Sequence, residues 1–371
     1  MQDRREFLRG VFAASTGAYC VGCGLRHARA QSAPKPRREV SIAGQRVQTI
    51  DIHSHILIRE TLDVVKGTPL EPILAGQFAS ASQAIPVGDQ RLGQMNGDGI
   101  DMQALSINAY WYDADRDLSR RLIDVQNQKL SEICKAYPDR FTAFASVALQ
   151  FPDLAAEQME HAIKDLGLRG VAIGGSLGDD ELSARKFDPF WAKAEEMQAL
   201  VFIHPQPDGK SLRVRTGGSG ALNTVLGNPW ETTIALAHLI FEGTLDRFPR
   251  LKICAAHGGG FLPSYAARMD HGCFVFPKQC TVKLQKRPTE YLNDLYYDTL
   301  VFTPEGLRHL VAQCGASQFM VGTDYPISWM QGPDGWTVGP VDQVLQTPDL
   351  TDADRIAILH GTAAKLLHMG A

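Results

Sequence analysis

Five residues able to bind a metal or move a proton stand at the C-terminal ends of short apolar runs. His53 and His55 close Thr49-Ile-Asp-Ile-His-Ser-His, and His204 closes Leu200-Val-Phe-Ile-His. His257 closes Ile253-Cys-Ala-Ala-His, and Asp324 closes Phe319-Met-Val-Gly-Thr-Asp. On a strand, residues two apart share a face, so His53 and His55 converge while Ile52 and Ser54 face the other way. Three imidazoles and one carboxylate form a donor set that suits Zn²⁺ first, and Mn²⁺ or Fe²⁺ at similar cost. That set leaves His257 for acid–base work, because its strand aims it at the same end and imidazole titrates near neutrality. The glycines at 258–260 let backbone approach a ligand closely.

Such convergence requires a particular scaffold. Apolar runs of strand length recur at 48–53, 102–107, 142–148, 169–174, 200–204, 251–256, 295–299 and 319–324. Helical patterns lie between them at 117–136, 153–166, 188–198, 229–247, 304–313 and 353–368. Strands alternating with helices predict a parallel sheet, and eight strands close a (β/α)₈ TIM barrel, whose active-site residues sit at the C-terminal strand ends. The ligand-type residues then belong to strands 1, 5, 6 and 8 and share one mouth. The segments 56–101, 205–228 and 325–345 read as loops long enough to wall or cover it.

Composition narrows the partners. A formal charge of −4 on 371 residues, with 8% aromatics, gives no basic stripe for nucleic acid. No apolar stretch is long enough to span a membrane. Residues 1–30 differ in kind: Arg4-Arg5-Glu-Phe-Leu-Arg precedes a mildly apolar run and an Ala28-Arg29-Ala30 cleavage site. This pattern predicts a twin-arginine export signal, handling by the twin-arginine translocase and a periplasmic location. Export after folding suits an enzyme that loads its metal first. Residues 31–47 read as a linker leading into the barrel, and 48–371 as a single catalytic domain. Seven cysteines, two of them in the leader, form no Cys-x-x-Cys zinc motif. Most read as buried thiols, with Cys273–Cys280 as a candidate disulfide in an oxidising compartment.

Asp-x-His-x-His on strand 1, His-Pro on strand 5, His-Gly-Gly-Gly on strand 6 and Gly-Thr-Asp-Tyr-Pro on strand 8 resemble the amidohydrolase superfamily. Within it the chain is most similar to the aminocarboxymuconate-semialdehyde decarboxylase-like group, from Ile50 to the closing Ile-Leu-His-Gly-Thr-Ala-Ala-Lys-Leu-Leu. The resemblance implies one metal held by His53, His55, His204 and Asp324, with His257 polarising a bound water. The strand-4 run ends Ala172-Ile-Gly-Gly, without the lysine that bridges two metals in binuclear relatives. Arg268 matches a substrate-binding arginine of the group, and the resemblance implies a homodimer in which Arg268 acts across the interface. Phe276 stands where a second arginine is expected, and the 75–90 region offers no counterpart to a third. A small, less acidic carboxylate substrate is therefore favoured, with Trp230, Trp329 and Tyr110-Trp111-Tyr112 as candidate walls.

The resulting expectation is a metal-dependent decarboxylase of a small unsaturated or aromatic carboxylic acid, with His257 and Asp324 as catalytic residues. A hydrolase of a lactone, ester or amide on the same scaffold is the alternative, and an exported metal- or ligand-binding protein without turnover is the third. Asp298, closing strand 7, reads as an N-cap for the next helix or as a functional carboxylate, Arg268 as a substrate clamp or a helix-surface ion pair, and Arg59 as solvated. His161, His238, His271, His309, His360 and His368 read as structural. Packing explains the aromatic cluster at 110–112 nearly as well as substrate contact does.

Overall fold

In the computed structural model, which describes residues 36–80, 85–206, 216–327 and 338–369, the chain opens with an antiparallel hairpin of β1 (Val40–Ile42) and β2 (Gln45–Val47). The hairpin thus takes up part of the segment read as a linker. Eight further strands form the scaffold. They are β3 (Ile50–His55), β4 (Met102–Ser106), β5 (Phe141–Ala143), β6 (Gly170–Gly174), β9 (Leu200–His204), β10 (Lys252–Ala255), β11 (Tyr296–Asp298) and β12 (Phe319–Met320). A small hairpin of β7 (Ser176–Leu177) and β8 (Asp180–Glu181) extends the loop after β6.

Parallel pairing runs β3-β4-β5 in one arc and β6-β9-β10-β11-β12 in the other. Both seams are bridged. Ala145 pairs with Val171, and Ser54 with Tyr325. At the second seam Ile52 N donates to Val321 O and Asp324 N to His53 O, each at 2.8 Å. The sheet is therefore closed as a (β/α)₈ barrel. Ile50, Ile52, Met102, Phe144, Phe202, Cys254 and Met320 pack together as its buried interior, with Leu366 and Leu367 against them. A second, larger apolar layer lies between barrel and helices, to which Leu122, Leu154, Trp191, Leu236 and Leu307 contribute.

Four of the expected helices form as read, and two of them carry a cap written in the sequence. Asp115 accepts from Leu118 N to start Arg116–Ala136, and Thr303 accepts from Gly306 N to start Pro304–Cys314. Three expectations need correction. The 229–247 helix is divided into Asn228–Phe241 and Thr244–Arg247, because Gly243 takes a left-handed φ of 71°. The 353–368 pattern is a series: Asp352–Ile356, a π-turn at Ala357–Gly361, then Thr362–Leu366. The 56–101 segment is no open loop, since it carries Thr61–Val65, Glu71–Ala79 and Asp89–Asp98. Sequence reading also passed over two helices, Leu262–Val275 and Pro340–Gln346. Each has proline in its first turn, a start signal that was legible.

Candidate metal centre

Strand β3 carries the first two ligands through a bulge. Its pairing with β4 runs Ile50–Met102 and Asp51–Gln103, then slips so that Ser54 faces Leu105 and His55 faces Ser106. Simple alternation would send His53 to the face opposite Ile50 and Ile52. The extra residue re-aims the strand end, so His53 packs on Phe202 in the barrel interior, ring centroids 5.1 Å apart. His204 closes β9, and Asp324 follows β12 with a left-handed φ of 57°. Donor atoms of His53, His55, His204 and Asp324 then lie within 4.8 Å of one another. His53 Nε2 is 3.0 Å from His55 Nε2. Asp324 Oδ1 is 2.9 Å from His55 Nε2 and 3.1 Å from His53 Nε2.

The outer ring nitrogens explain why the inner ones are free to ligate. His53 Nδ1 donates to Asp298 Oδ2 at 2.6 Å, and His204 Nδ1 to the Pro205 carbonyl at 3.0 Å. Ser106 Oγ donates to the Ser54 carbonyl and so accepts from His55 Nδ1, 3.0 Å away. With all three Nδ1 atoms donating, all three Nε2 lone pairs turn inward. This is the outer-partner pattern of protein metal sites. Gly322 belongs to it as well, since a Cβ there would lie 2.7 Å from Asp298 Cβ and 3.1 Å from His53 Cβ.

Asp298 corrects the N-cap reading. Thr303, not Asp298, caps Pro304–Cys314. The Asp298 carboxylate instead accepts from His53 Nδ1, from the backbone N–H groups of His257 and Gly258 at 2.9 and 2.8 Å, and from Leu300 N at 3.0 Å. It therefore orients a ligand and the His257 turn together. Asp298→Ala is expected to weaken metal binding by about 10- to 100-fold, measured by competition with a chromophoric chelator. Unchanged affinity would show that Asp298 only braces the fold.

Electrostatics also fit a cation. Burial lowers the pKa of His55 and drives that of His204 well down, which leaves both imidazoles neutral and able to ligate. Burial opposes charge on His53 too, but Asp324 and Asp298 on either side outweigh it and hold it up to about 10. Burial would raise Asp324, yet His53 and its hydrogen bonds keep it well below the usual carboxylate range. The cluster thus seats a cation: a proton on His53 in the metal-free protein, a metal ion otherwise. Because the folded pKa of His53 is raised, a proton is held below about 10 and must leave on metal uptake. Apparent metal affinity should therefore rise with pH, by about tenfold per unit from roughly pH 7 upward, levelling as pH nears that pKa. Calorimetry in buffers of different ionisation enthalpy should count about one proton released at pH 7.5.

His257 stands beside the cluster. Its φ is 57°, its Nε2 lies 3.9 Å from Asp324 Oδ2, and its buried Nδ1 has no partner among the described residues. It also lines a cavity of about 220 Å³ with Val225, Phe261, Leu300, Val301 and Phe302. A smaller cavity of about 50 Å³ opens at His55, beside Gln77 and Asn108.

The other expected contacts are more dispersed. Arg268 is exposed on the helix Leu262–Val275 and makes no hydrogen bond or ion pair among the described residues. Trp230 is half exposed at the start of Asn228–Phe241, outside both cavity linings. Trp329 lies outside the described residues. Trp111 is structural, buried with its Nε1 donating to Val147 O, and Tyr112 Oη accepts from Gly174 N. His161 and His238 pair with Asp165 and Glu242 on their own helices.

Sequence reasoning missed Arg91 and the outer role of Asp51. Arg91 is fully buried, donates to the His55 carbonyl and to Gln103 Oε1, each at 2.8 Å, and lies 4.5 Å from the Tyr325 ring centre. Asp51 accepts from His53 N, Thr323 N, Thr323 Oγ1 and Gln103 Nε2, tying β3 to the segment that ends in Asp324. Asp51 was visible as the first residue of Asp-x-His-x-His. Arg91 carried no signal, as a cation in a stretch read as loop.

Comparison with known proteins matches this arrangement. The amidohydrolase family model matches residues 50–369, from the first barrel strand through the last helix. The chain belongs to the amidohydrolase family. This amidohydrolase is 32% identical over 243 residues to a 2-amino-3-carboxymuconate-6-semialdehyde decarboxylase of Dictyostelium discoideum, covering 64% of this chain and 66% of that protein. It is 27% identical over 340 residues to a gamma-resorcylate decarboxylase of a Rhizobium species, covering 86% and 98%. Among solved structures, a dihydroxybenzoic acid decarboxylase of Polaromonas sp. JS666, with bound manganese and the inhibitor 2-nitroresorcinol, superposes with a TM-score of 0.73 at 25% identity, covering 87% of this chain and 97% of that one. The amidohydrolase is thus an enzyme of the lyase or hydrolase kind with a site for a divalent metal. The Cys273–Cys280 disulfide is formed. Cys254 and Cys314 are buried thiols and Cys134 is partly buried.

Proposed function

We propose that this amidohydrolase releases CO₂ from a small aromatic or unsaturated carboxylic acid. One observation carries the reading: the four-ligand cluster stands with His257 in contact range of Asp324, in a chain whose relatives of named activity are decarboxylases. When bound, the metal supplies Lewis-acid polarisation of substrate oxygens. The chain's own groups supply the rest. His257 Nε2 holds a proton beside the cluster and delivers it to the carbon that bears the carboxylate. The bond to the carboxyl carbon then breaks, its electron pair returns to the ring or chain, and CO₂ leaves. Apolar walls beside His257 exclude water from the protonated intermediate.

Carboxyl-labelled 2-hydroxybenzoates and dihydroxybenzoates test the reaction. Labelled CO₂ with one equivalent of the decarboxylated product is expected. Cleavage of lactones or esters without CO₂ from any acid would replace the reading with hydrolysis.

The metal is proposed to be Mn²⁺, with Zn²⁺ the competing choice. The manganese in the Polaromonas enzyme supports this choice. Elemental analysis of protein purified without added metal decides between them. Export through the twin-arginine route to the periplasm is proposed from Arg4-Arg5 and Ala28-Arg29-Ala30, and the Cys273–Cys280 disulfide supports an oxidising compartment. Cell fractionation, with Arg4-Arg5→Lys-Lys as control, tests it. A homodimer is proposed in which exposed Tyr265 and Phe274, on the helix bearing Arg268, meet the partner. Sedimentation at micromolar concentration is the check.

A further inference from the structure

The cavity beside His257 bounds what the rest of the substrate can be. Among the described residues lining it, only His257 and Thr224 bring polar side-chain atoms, and none is an acid, a lysine or an arginine. Val225, Phe261, Leu300, Val301 and Phe302 supply most of the wall. A dry apolar cavity of about 150 Å³ already holds benzene, so about 220 Å³ leaves room for a ring and a short alkyl group. A second carboxylate lodged there would trade hydration for these apolar walls, and no lysine or arginine stands among the described lining residues to pair with it. The cavity at His55 is far smaller, about 50 Å³, and presents the amides of Gln77 and Asn108. The buried Gln77 Oε1 has no partner among the described residues. The cavities at the two histidines therefore differ in both size and chemistry: a small one with amides at His55 and a larger apolar one at His257.

We propose that the substrate is a monocarboxylic acid carrying an apolar, uncharged substituent, which Val225, Phe261, Val301 and Phe302 receive beside His257. This rests on the decarboxylase reading for the placement of the reacting carboxylate at the cluster. It goes further in excluding a second acidic group from the cavity beside His257.

Binding, read apart from turnover, tests the proposal. The probes are 2-hydroxybenzoate and its methyl, propyl and carboxyl derivatives at ring positions 3, 4 and 5, titrated by calorimetry into the full, Mn²⁺-loaded protein. At one position affinity should rise by about fourfold per added methylene, and the carboxyl derivative at that position should bind at least about tenfold more weakly than the parent. Val225 is 48% exposed at the cavity rim, so Val225→Arg can add a cation without disturbing the core. It should reverse the order, tightening the carboxyl derivative and weakening the propyl one. Phe302→Arg, also at the rim, serves if the first variant loses its metal or its thermal transition. The proposal is overturned if no position accepts propyl, or if the carboxyl derivative binds as tightly as the propyl one. The expected ranking without CO₂ from any acid would leave the cavity assignment standing and remove the decarboxylase reading. Labelled CO₂ with a flat ranking would do the opposite.

Discussion

Asp324→Ala is expected to lose both metal and turnover. Asp324 is the one anion among the four ligands, and its Oδ1 lies 2.9 and 3.1 Å from two imidazole nitrogens. Removing one partner from a buried charge pair costs about 3–5 kcal/mol, so metal affinity should fall by about 10²- to 10⁴-fold. Asp324→Asn keeps the shape and loses the charge. It should sit between wild type and alanine in metal content. The same experiment has a structural readout. In the metal-free protein Asp324 and Asp298 hold His53 charged, so ethylenediaminetetraacetate should lower the melting temperature of wild type. Asp324→Ala, already without metal, should melt at the same temperature with or without chelator. A full complement of metal in Asp324→Ala would move the metal site elsewhere.

His257→Ala is expected to separate chemistry from metal binding. The ring is not one of the four clustered ligands, yet its Nε2 is 3.9 Å from Asp324 Oδ2 and it walls the larger cavity. A positioned general acid contributes about 10²- to 10⁴-fold, so turnover should fall by that much while metal content remains whole. His257→Asn is the companion variant, because it keeps a polar side chain on the strained turn where φ is 57°. Single-turnover rates and metal stoichiometry on the same samples decide the matter. Loss of metal in parallel with rate would make His257 a support of the cluster rather than a proton donor. Retained rate with retained metal would assign the proton to another group.

These two variants probe residues that were legible in the sequence, and the reason is local. A ligand-type side chain at the C-terminal end of an apolar run marks a barrel strand end whatever the rest of the chain does. Four such ends, carrying five residues, sufficed to name the ligands and to single out His257. The helices Arg116–Ala136 and Pro304–Cys314 were legible for a similar reason, since cap and period are written within each segment, and Pro152–Lys164 was legible from its period, with Pro152 at its start. Leu262–Val275 was passed over although Pro263 marks its start. The segment 56–101 hid three helices because short apolar patterns diluted by Gly, Asp and Gln carry little periodicity.

What the sequence by itself determined is therefore the donor set, its placement on parallel strands and the barrel those strands form. Tertiary structure decided how the donors aim. Alternation alone puts His53 opposite Ile52, and only the slip in pairing between β3 and β4 turns both into the interior. A period of two is a property of one strand, but register is a property of two strands far apart in the chain. The same holds for the groups that orient the ligands. Asp298 reaches His53 from 245 residues away and Thr323 reaches Asp51 from 272, and Arg91 meets the His55 carbonyl from a helix the sequence pattern did not reveal. The apolar wall beside His257 likewise gathers Val225, Phe261 and Phe302 from three segments. No local rule brings these together, because each contact depends on closure of the whole barrel.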